Sequence, residues 1–307
     1  MPDYNLGISG GTHAQMTGRM MISIEKVLQK EHPDWLLTYG DTNSTLAAVL
    51  AAVKLHVPVC HVEAGVRLHS LQNPEEINRV CVDHIGTLLL ASTQSSLREL
   101  QKENLGKRSH FVGDPMFDAF RIYSKKLDIR DVRLHLLTGG VTSVPDKFYY
   151  LTCHREENTK NDGTLLEILR GTVQLDAPTV YPVHPRNKER ALRLQQKHGL
   201  ASVILTEPVG YLESTCLVRH AEKIVTDSGG FQREAFFAGK KCVTVFDYEI
   251  WPETMVNHRN DLASPEANDI VKKLELEKQI DRAYTPFGDG HAAEKIVAVL
   301  EDAIRSK

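Results

Sequence analysis

The sequence predicts an α/β protein made of two doubly wound domains that face a cleft. Short apolar runs alternate with amphipathic stretches along the chain, which is typical of β-α units around a parallel sheet. The apolar runs are rich in Val, Ile, Leu and Tyr and nearly unbroken by polar residues, as in strands buried on both faces. A length of 307 residues suits two domains of ordinary size.

The apolar runs and the stretches between them give the predicted elements in order. Strands are predicted at Trp35–Tyr39, Val57–Val62, Thr87–Ser92, Ser109–Gly113, Phe148–Cys153, Pro178–Val183, Ser202–Thr206, Lys223–Thr226 and Cys242–Phe246. Helices are predicted at Thr12–Lys30, Ser44–Lys54, Ser95–Asn104, Leu165–Gln174, Gly229–Phe237 and Gly290–Ser306.

A charge-dense stretch near Lys125–Asp146 marks the predicted domain boundary. Four strands precede it and five follow it, so each side forms its own Rossmann-like sheet. We therefore predict an N-terminal domain at residues 1–125 and a C-terminal domain at residues 126–289. The last helix, within residues 290–307, could pack on either domain, and on the first it would complete that domain.

Composition and charge exclude several classes of protein. The 37 basic and 40 acidic side chains leave a formal charge of −3, which argues against a nucleic-acid partner. No apolar run reaches the length of a membrane span, and no signal peptide is visible, so we expect no membrane association and a cytoplasmic protein. The 5 scattered cysteines indicate reduced thiols rather than a disulfide scaffold or a zinc module.

Acidic side chains follow two successive strands of the first half. Asp41 and Glu63 come directly after predicted strands, where parallel sheets bind their ligands. Glu75 opens a predicted helix for which Asn73 is the N-cap and Pro74 the first residue. Asp41 could instead cap a helix, and Glu75 could complement a helix dipole, whereas Glu63 has no capping role. Together the three carboxylates favour general acid–base chemistry.

The second half supplies groups suited to a phosphate ligand. His154 and Arg155 follow one strand, and His184 follows the next. Ser228, Gly229 and Gly230 form a tight turn before a helix whose N–H groups can bind phosphate, and Glu234 could reach ribose hydroxyls. This combination favours a nucleoside diphosphate over a simple turn.

Other motifs are missing from the sequence. It contains no G-x-G-x-x-G after a strand and no P-loop, which disfavours NAD and P-loop ATP chemistry, and the Ser228 turn is not a G-x-S-x-G elbow, which disfavours a hydrolase. No histidine pair has the H-E-x-x-H spacing, so we expect neither a catalytic metal nor a cofactor.

Taken together, these motifs resemble the UDP-N-acetylglucosamine 2-epimerase family in its bacterial, non-hydrolysing form. The resemblance covers essentially the whole chain, from Ile8-Ser-Gly-Gly-Thr-His-Ala-Gln through Gly40-Asp-Thr-Asn-Ser-Thr, His61-Val-Glu-Ala-Gly-Val-Arg, Pro74-Glu-Glu-Ile-Asn-Arg, Tyr181-Pro-Val-His-Pro and Asp227-Ser-Gly-Gly-Phe-Gln-Arg-Glu-Ala to Pro286-Phe-Gly-Asp-Gly. It implies the two-domain glycosyltransferase-B fold and a cytoplasmic homodimer in cell-surface polysaccharide biosynthesis. It also implies interconversion of UDP-N-acetylglucosamine and UDP-N-acetylmannosamine through elimination of UDP to 2-acetamidoglucal and its re-addition.

The resemblance also implies roles for individual residues. Asp41, Glu63 and Glu75 are the acid–base candidates, and Arg79, one turn after Glu75, would hold that carboxylate ionised. Stabilisation of the diphosphate and binding of UDP would fall to residues of the second half, namely His154, Arg155, His184, Ser228, Gly229, Gly230 and Glu234.

The sequence departs from the family pattern in three places. Trp251 stands where many members have a nucleotide-contacting Arg, which leaves UDP-2,3-diacetamido-2,3-dideoxyglucuronic acid open as the substrate. Thr12-His13 replaces an Arg-Gln pair linked to allosteric activation. Members begin with a strand and a Gly-Thr-Arg-Pro-Glu loop, so we expect about 60 residues of the pattern to be absent, at about 30 residues per β-α unit.

The missing N-terminal unit leads us to expect a shortened first domain. Its sheet would be rearranged or completed by a partner, or catalysis would be impaired. A non-catalytic UDP-sugar-binding remnant is therefore one alternative. A hydrolysing epimerase and a retaining glycosyltransferase are two others, although the latter does not need Asp41, Glu63 and Glu75 together.

Overall fold

The contacts of the chain define two compact units. A computed structural model describes residues 2–305. One unit runs to Asp118 and resumes at Thr285, and the other comprises Ala119–Tyr284. The divisions lie close to the boundaries of residues 125 and 289 that the sequence suggests.

Strands and α-helices alternate along most of the described residues. The strands are β1 (Leu36–Tyr39), β2 (Val59–Val62), β3 (Leu88–Ala91), β4 (Ser109–Phe111), β5 (Arg133–His135), β6 (Val141–Ser143), β7 (Tyr149–Thr152), β8 (Thr179–Pro182), β9 (Val203–Thr206), β10 (Lys223–Thr226), β11 (Lys241–Thr244) and β12 (Asn260–Leu262). The α-helices are α1 (His13–Glu31), α2 (Asn43–Lys54), α3 (Pro74–Ile85), α4 (Gln94–Lys102), α5 (Pro115–Tyr123), α6 (Glu156–Thr159), α7 (Asp162–Val173), α8 (Lys188–His198), α9 (Tyr211–His220), α10 (Gly229–Phe237), α11 (Pro252–Met255), α12 (Ala267–Glu275) and α13 (Ala292–Arg305).

The first unit contains a four-stranded parallel sheet in the order β1-β2-β3-β4. Successive residues of its strands enter different hydrophobic clusters: Cys60 and Val62 pack with Leu88 and Leu90, whereas Val59 packs with α1 and α2. The alternation follows from the two-residue period of a strand. Both faces of the sheet are therefore covered, as the unbroken apolar runs predict.

The last helix, α13, belongs to the first unit. Ile296 packs against the cluster formed by Cys60 and Val62. The Ala293 N–H donates to Asp118 at 2.8 Å, which fixes the start of the helix. The structure thus selects one of the two placements that the sequence leaves open. The predicted end of this helix at Ser306 lies outside the described residues.

The second unit contains a six-stranded parallel sheet in the order β12-β11-β10-β7-β8-β9. The chain builds one half outward from β7 and then returns to build the other half from β10. The central neighbours β7 and β10 therefore form the topological switch point, where open α/β sheets bind ligands beyond the carboxyl ends of their strands.

The charge-dense stretch that suggests a domain boundary contains a hairpin, β5–β6. Leu134 is fully buried between exposed Arg133 and His135, which is the period of a half-buried strand. The hairpin joins the edge of the second sheet, since the Leu137 N–H donates to the Leu205 carbonyl at 3.0 Å. The sequence analysis did not predict these two strands, because their residues mix polar and apolar types and do not form an apolar run.

The remaining global features concern thiols and helix length. All 5 cysteines are free, and only Cys81 among them is exposed. None of the helices formed by residues 2–305 combines the length and apolar character needed to cross a bilayer.

Replacing Gly65 by Ala tests the tight packing after β2. Gly65 has a φ of +83°, and a Cβ would lie 2.3 Å from the Ser96 carbonyl oxygen, which belongs to the backbone and cannot rotate away. We expect Gly65→Ala to lower the free energy of unfolding by at least about 3 kcal/mol in urea titrations followed by circular dichroism.

Gly140→Ala is the matched control, because Gly140 has a φ of +88° with no atom within 4 Å of the added Cβ. It should cost only about 1–2 kcal/mol, the conformational part alone. Equal losses in the two variants would contradict the packing role of Gly65.

Candidate active site

The structure brings Asp41 and Glu63 to one edge of the first sheet. Tyr39 pairs with Val62 in the parallel register of β1 and β2, so the residues that follow both strands emerge side by side. Thr42, not Asp41, is the N-cap of α2. The capping alternative for Asp41 is therefore wrong.

Helix α3 approaches this edge and supplies the partner of Asp41. The Arg79 guanidinium forms a short ion pair with the Asp41 carboxylate and donates to Glu76 at 3.1 Å. Asn78 donates to the Asp41 carbonyl at 2.8 Å. Arg79 thus serves Asp41 and Glu76, and the expected ion pair with Glu75 is wrong.

The start of α3 separates two neighbouring glutamates. Asn73 caps the helix, as predicted, by accepting from the Glu75 N–H at 2.9 Å. The Glu75 side chain is exposed, whereas Glu76 is 2% exposed and accepts from the Leu68 and His69 N–H groups at 2.9 Å. Sequence reasoning missed Glu76, although the spacing of Glu76, Arg79 and Asp83 places them on one helix face.

Glu63 occupies a strained backbone conformation. Its φ is +68°, in the left-handed region, which costs a residue other than glycine about 1–2 kcal/mol. Strain of this kind collects at functional sites, where the surrounding structure enforces it. The position of Glu63 is therefore fixed by its neighbours rather than by local preference.

A buried carboxylate organises the switch point of the second sheet. Asp227, which follows β10, is 1% exposed and accepts from the His154 and Arg155 N–H groups, each at 2.9 Å. Asn158 also donates to it, at 3.3 Å. Burial works to raise the pKa of Asp227, but the charge and hydrogen bonds of His154 and the backbone N–H groups outweigh it and lower that pKa.

The two predicted histidines lie at neighbouring strand ends. His154 Nδ1 lies 3.2 Å from Asp227 Oδ1, and its side chain is about half exposed. His184 Nδ1 accepts from the Arg186 N–H at 3.3 Å, and the Arg186 guanidinium donates to the His154 carbonyl at 2.7 Å. Arg186, which the sequence reading missed, thus ties the two loops together. A cavity of about 290 Å³ lies here, lined by Tyr150, Thr152, His154, His184, Ser228 and Phe231 among others.

Arg155 points to a second cavity. Its guanidinium lies 4.2 Å from the centre of the Phe246 ring and donates to the Tyr248 hydroxyl at 2.5 Å. The two aromatic rings are themselves stacked, 5.2 Å apart and 7° from parallel. This cation–π stack of Arg155, Phe246 and Tyr248 lines part of a cavity of about 380 Å³.

The Ser228–Gly230 turn begins α10. The Ser228 hydroxyl accepts from the Phe231 N–H at 3.3 Å and caps the helix. The N–H groups of Gly229 and Gly230 belong to the first turn, where helix geometry leaves them without intrahelical acceptors. This helix start can therefore bind an anion such as phosphate.

Glu234 is the buried acid of α10. Burial raises its pKa to about 7, while the charge of Arg233 and a hydrogen bond from the Tyr211 hydroxyl work in the opposite direction. Arg233 in turn stacks on Trp251, at 4.1 Å from the ring centre, and Trp251 is 3% exposed. Trp251 is thus a core residue that packs on Arg233, the residue before Glu234.

Among residues 2–305, no group of three or more His, Cys, Asp and Glu side chains is arranged to hold a metal ion. The polar groups at the two sheet edges are instead acids, imidazoles and helix N–H groups, which suit proton transfer and phosphate binding.

Two α/β units with parallel sheets, one with carboxylates at its sheet edge and the other with a helix start that suits an anion, are typical of the glycosyltransferase-B class of nucleotide-sugar proteins. The family model for UDP-N-acetylglucosamine 2-epimerase matches residues 1–301. The chain therefore belongs to the UDP-N-acetylglucosamine 2-epimerase family. The sequence prediction of this family, which comprises isomerases, is confirmed.

Individual relatives agree. The chain is 39% identical to the UDP-2,3-diacetamido-2,3-dideoxy-D-glucuronate 2-epimerase of Pseudomonas aeruginosa, over 97% of this chain and 83% of that protein. Its structure is similar to the crystal structure of the Methanocaldococcus jannaschii UDP-GlcNAc 2-epimerase in complex with UDP-GlcNAc and UDP, with a TM-score of 0.84. The two sequences are 38% identical, and the match covers 98% of this chain and 84% of that one. The Neisseria meningitidis enzyme bound to UDP-GlcNAc is 27% identical, with a TM-score of 0.82 over 98% and 86%.

Replacing Glu234 by Gln tests the pKa of this acid through stability. With a pKa of about 7 in the folded chain and 4.5 as the ordinary value, the folded state binds the proton more tightly, so wild-type stability falls as pH rises between these values. We expect the free energy of unfolding of Glu234→Gln to be higher than that of the wild type by up to about 3 kcal/mol near pH 8. Most of this difference should disappear near pH 5.

Urea titrations at both pH values measure the difference. Glu275→Gln, at an exposed glutamate of the same unit, is the control and should show no such pH dependence. A Glu234→Gln advantage that does not change with pH would contradict the raised pKa.

Proposed function

We propose that this protein interconverts UDP-N-acetylglucosamine and UDP-N-acetylmannosamine. The observation that carries the proposal is the placement of Asp41 and Glu63 at the carboxyl ends of adjacent parallel strands. Epimerisation at C2 requires a base that removes the C2 proton and an acid that returns one on the opposite face, and two carboxylates at one edge suit that requirement. The names of the relatives support the same reaction.

The proton-transfer roles fall to the first unit. The C–O bond at C1 breaks as the C2 proton leaves, which gives 2-acetamidoglucal and UDP; reprotonation at C2 and addition of UDP at C1 complete the reaction. Arg79 forms a direct ion pair with Asp41 and so orients that carboxylate. The neighbours of Glu63 hold it in a strained backbone conformation, and Glu75 is exposed and free to turn toward a ligand.

The second unit is suited to hold the leaving UDP. The N–H groups of Gly229 and Gly230, with the capping Ser228, would bind the diphosphate at the start of α10. His154 and His184, on the wall of the same cavity, would stabilise the charge that develops on departing UDP. Arg155 would add a further cation, and Glu234 would accept hydrogen bonds from the ribose hydroxyls.

A second candidate substrate is UDP-2,3-diacetamido-2,3-dideoxyglucuronic acid. The Pseudomonas aeruginosa relative that acts on this sugar is 39% identical. Trp251, in the position where many members have Arg, is buried against Arg233, so a nucleotide contact from this position is replaced by a core contact. Both features favour testing the diacetamido sugar beside UDP-N-acetylglucosamine.

Assembly and location are part of the same proposal. We expect a cytoplasmic homodimer, as the family resemblance implies, and the free thiols suit a reducing compartment. Size-exclusion chromatography with light scattering tests the dimer, and a monomer at assay concentration would contradict it.

Deuterium incorporation at C2 tests the function directly. The protein is incubated with each candidate UDP-sugar in D₂O, and the products are followed by NMR. We expect deuterium at C2 and both C2 epimers as UDP-sugars, because the proton removed is exchanged with solvent before its return. Free N-acetylmannosamine would instead indicate a hydrolysing epimerase, and no exchange with either sugar would support a UDP-sugar-binding remnant.

Replacing Glu63 by Gln tests the acid–base role. The amide keeps the size of the side chain but cannot transfer the proton, so we expect turnover to fall by about 10²–10⁴-fold. UDP affinity, measured by calorimetry, should remain that of the wild type. Glu25→Gln, at an exposed position of α1, is the control with unchanged turnover. Substantial residual turnover in Glu63→Gln would remove Glu63 from the mechanism.

A further inference from the structure

Asp83 of α3 is a fully buried carboxylate for which the proposed reaction has no use. It is 0% exposed, and its two oxygens receive three donors. Asp83 Oδ1 lies 2.7 Å from His61 Nδ1, while Oδ2 accepts from the Gly65 N–H at 3.0 Å and from Arg67 at 2.7 Å. All three donors belong to the segment that carries Glu63, and His61 and Gly65 each lie two residues from it.

His61 extends this contact to the neighbouring loop. Its Nε2 lies 2.7 Å from the Gly40 carbonyl oxygen, and Gly40 directly precedes Asp41. Both contacts are to acceptor oxygens, so the His61 imidazole bridges the Gly40 carbonyl and the Asp83 carboxylate through its two ring nitrogens. The ring lies between the Asp41 loop and the Asp83 carboxylate, fully buried.

We propose that Asp83 and His61 are positioning residues of the epimerase site, which fix the Asp41 loop and the Glu63 loop relative to each other. The inference rests on the proposed function, because it concerns the geometry of the two candidate carboxylates. One buried carboxylate reaches both loops, through a side chain on one side and a backbone N–H on the other. Neither residue contacts the substrate in this scheme; each acts through the loop that it holds.

The strained backbone of Glu63 supports the assignment. A non-glycine residue with a φ of +68° stays in that conformation only where its surroundings enforce it, and the hydrogen bonds of His61 and Gly65 bracket it on both sides. At Gly65 the chain also lies too close to the Ser96 carbonyl for any side chain. Loss of either link therefore lets the Glu63 carboxylate move relative to Asp41.

The outer end of the same network provides the matched control. Arg67 donates to both carboxylate oxygens of Glu103, at 2.7 and 2.8 Å. Glu103 contacts the outer members of the cluster, Arg67 and His84, and among residues 2–305 it forms no hydrogen bond with His61, Gly40 or Gly65. A carboxylate-to-amide change at Glu103 thus perturbs the stability of the network without breaking the links from Asp83 and His61 to the two loops.

The experiment compares Asp83→Asn, His61→Gln and Glu103→Gln with the wild-type protein in the deuterium-exchange assay. We expect the first two to lower kcat by about 100-fold, the effect of misplacing reacting groups by about an ångström. KM for the UDP-sugar and Kd for UDP should stay within about twofold, since the second unit is untouched. Glu103→Gln should lower Tm and keep the wild-type kcat.

Each other outcome has a defined meaning. Wild-type kcat in folded Asp83→Asn and His61→Gln, with only Tm reduced, overturns the positioning role and leaves the proposed function standing. If Asp83→Asn fails to fold, His61→Gln decides the question, because there Asp83 keeps its partner Arg67; if both fail to fold, the two residues serve stability and the inference is overturned. Wild-type protein that exchanges no deuterium with either sugar overturns the proposed function itself.

Discussion

A buried carboxylate at the carboxyl edge of each sheet is the interaction on which the candidate residues of that unit depend for their position. Asp83 in the first unit and Asp227 in the second are both almost completely shielded from water. Each accepts backbone N–H groups from loops that follow strands, at Gly65 in one case and at His154 and Arg155 in the other. Loops at a sheet edge lack ladder partners for these groups, and a carboxylate satisfies several at once.

The electrostatics of such groups make the loop geometry stiff. Removing a carboxylate from water costs several kcal/mol unless cations and donors compensate. Burial works to raise the pKa of Asp83, but the charges and hydrogen bonds of His61 and Arg67 lower it. Because each partner compensates a buried charge, displacement of a loop leaves a buried ion without its partner. The loss in free energy is far larger than for an ordinary surface contact.

This stiffness has a consequence for the proposed chemistry. Proton transfer at one carbon from two faces requires carboxylates that do not drift, since small misplacements carry large rate penalties. The left-handed conformation of Glu63 and the backbone contact at Gly65 show that the first unit accepts local strain to hold one arrangement. In the second unit, Arg155 lines one cavity, whereas His154 and His184 line another. The side chains predicted to bind the diphosphate therefore lie in two separate environments.

The sequence determined the layers of the fold and the residues at the strand ends. Nine strands lie within two residues of their predicted bounds, because apolar runs buried on both faces need no information from distant residues. The hairpin β5–β6 and β12 were missed, since Arg133–His135 and Asn260–Leu262 are not apolar runs and depend on pairing with distant strands. Asp41 and Glu63 follow from strand position alone, and so do His154 and His184.

Only the tertiary structure decided which partner binds each of these side chains. The rotation of α3 against the sheet buries Glu76 and exposes Glu75, and it directs Arg79 to Asp41. The same rotation places Asp83 under two loops that lie 16 to 43 residues away along the chain. Such contacts depend on how a helix packs on a sheet, which local propensity and spacing leave open. The sequence by itself therefore indicated which side chains lie at the strand ends, and only the tertiary structure decided which partners hold them.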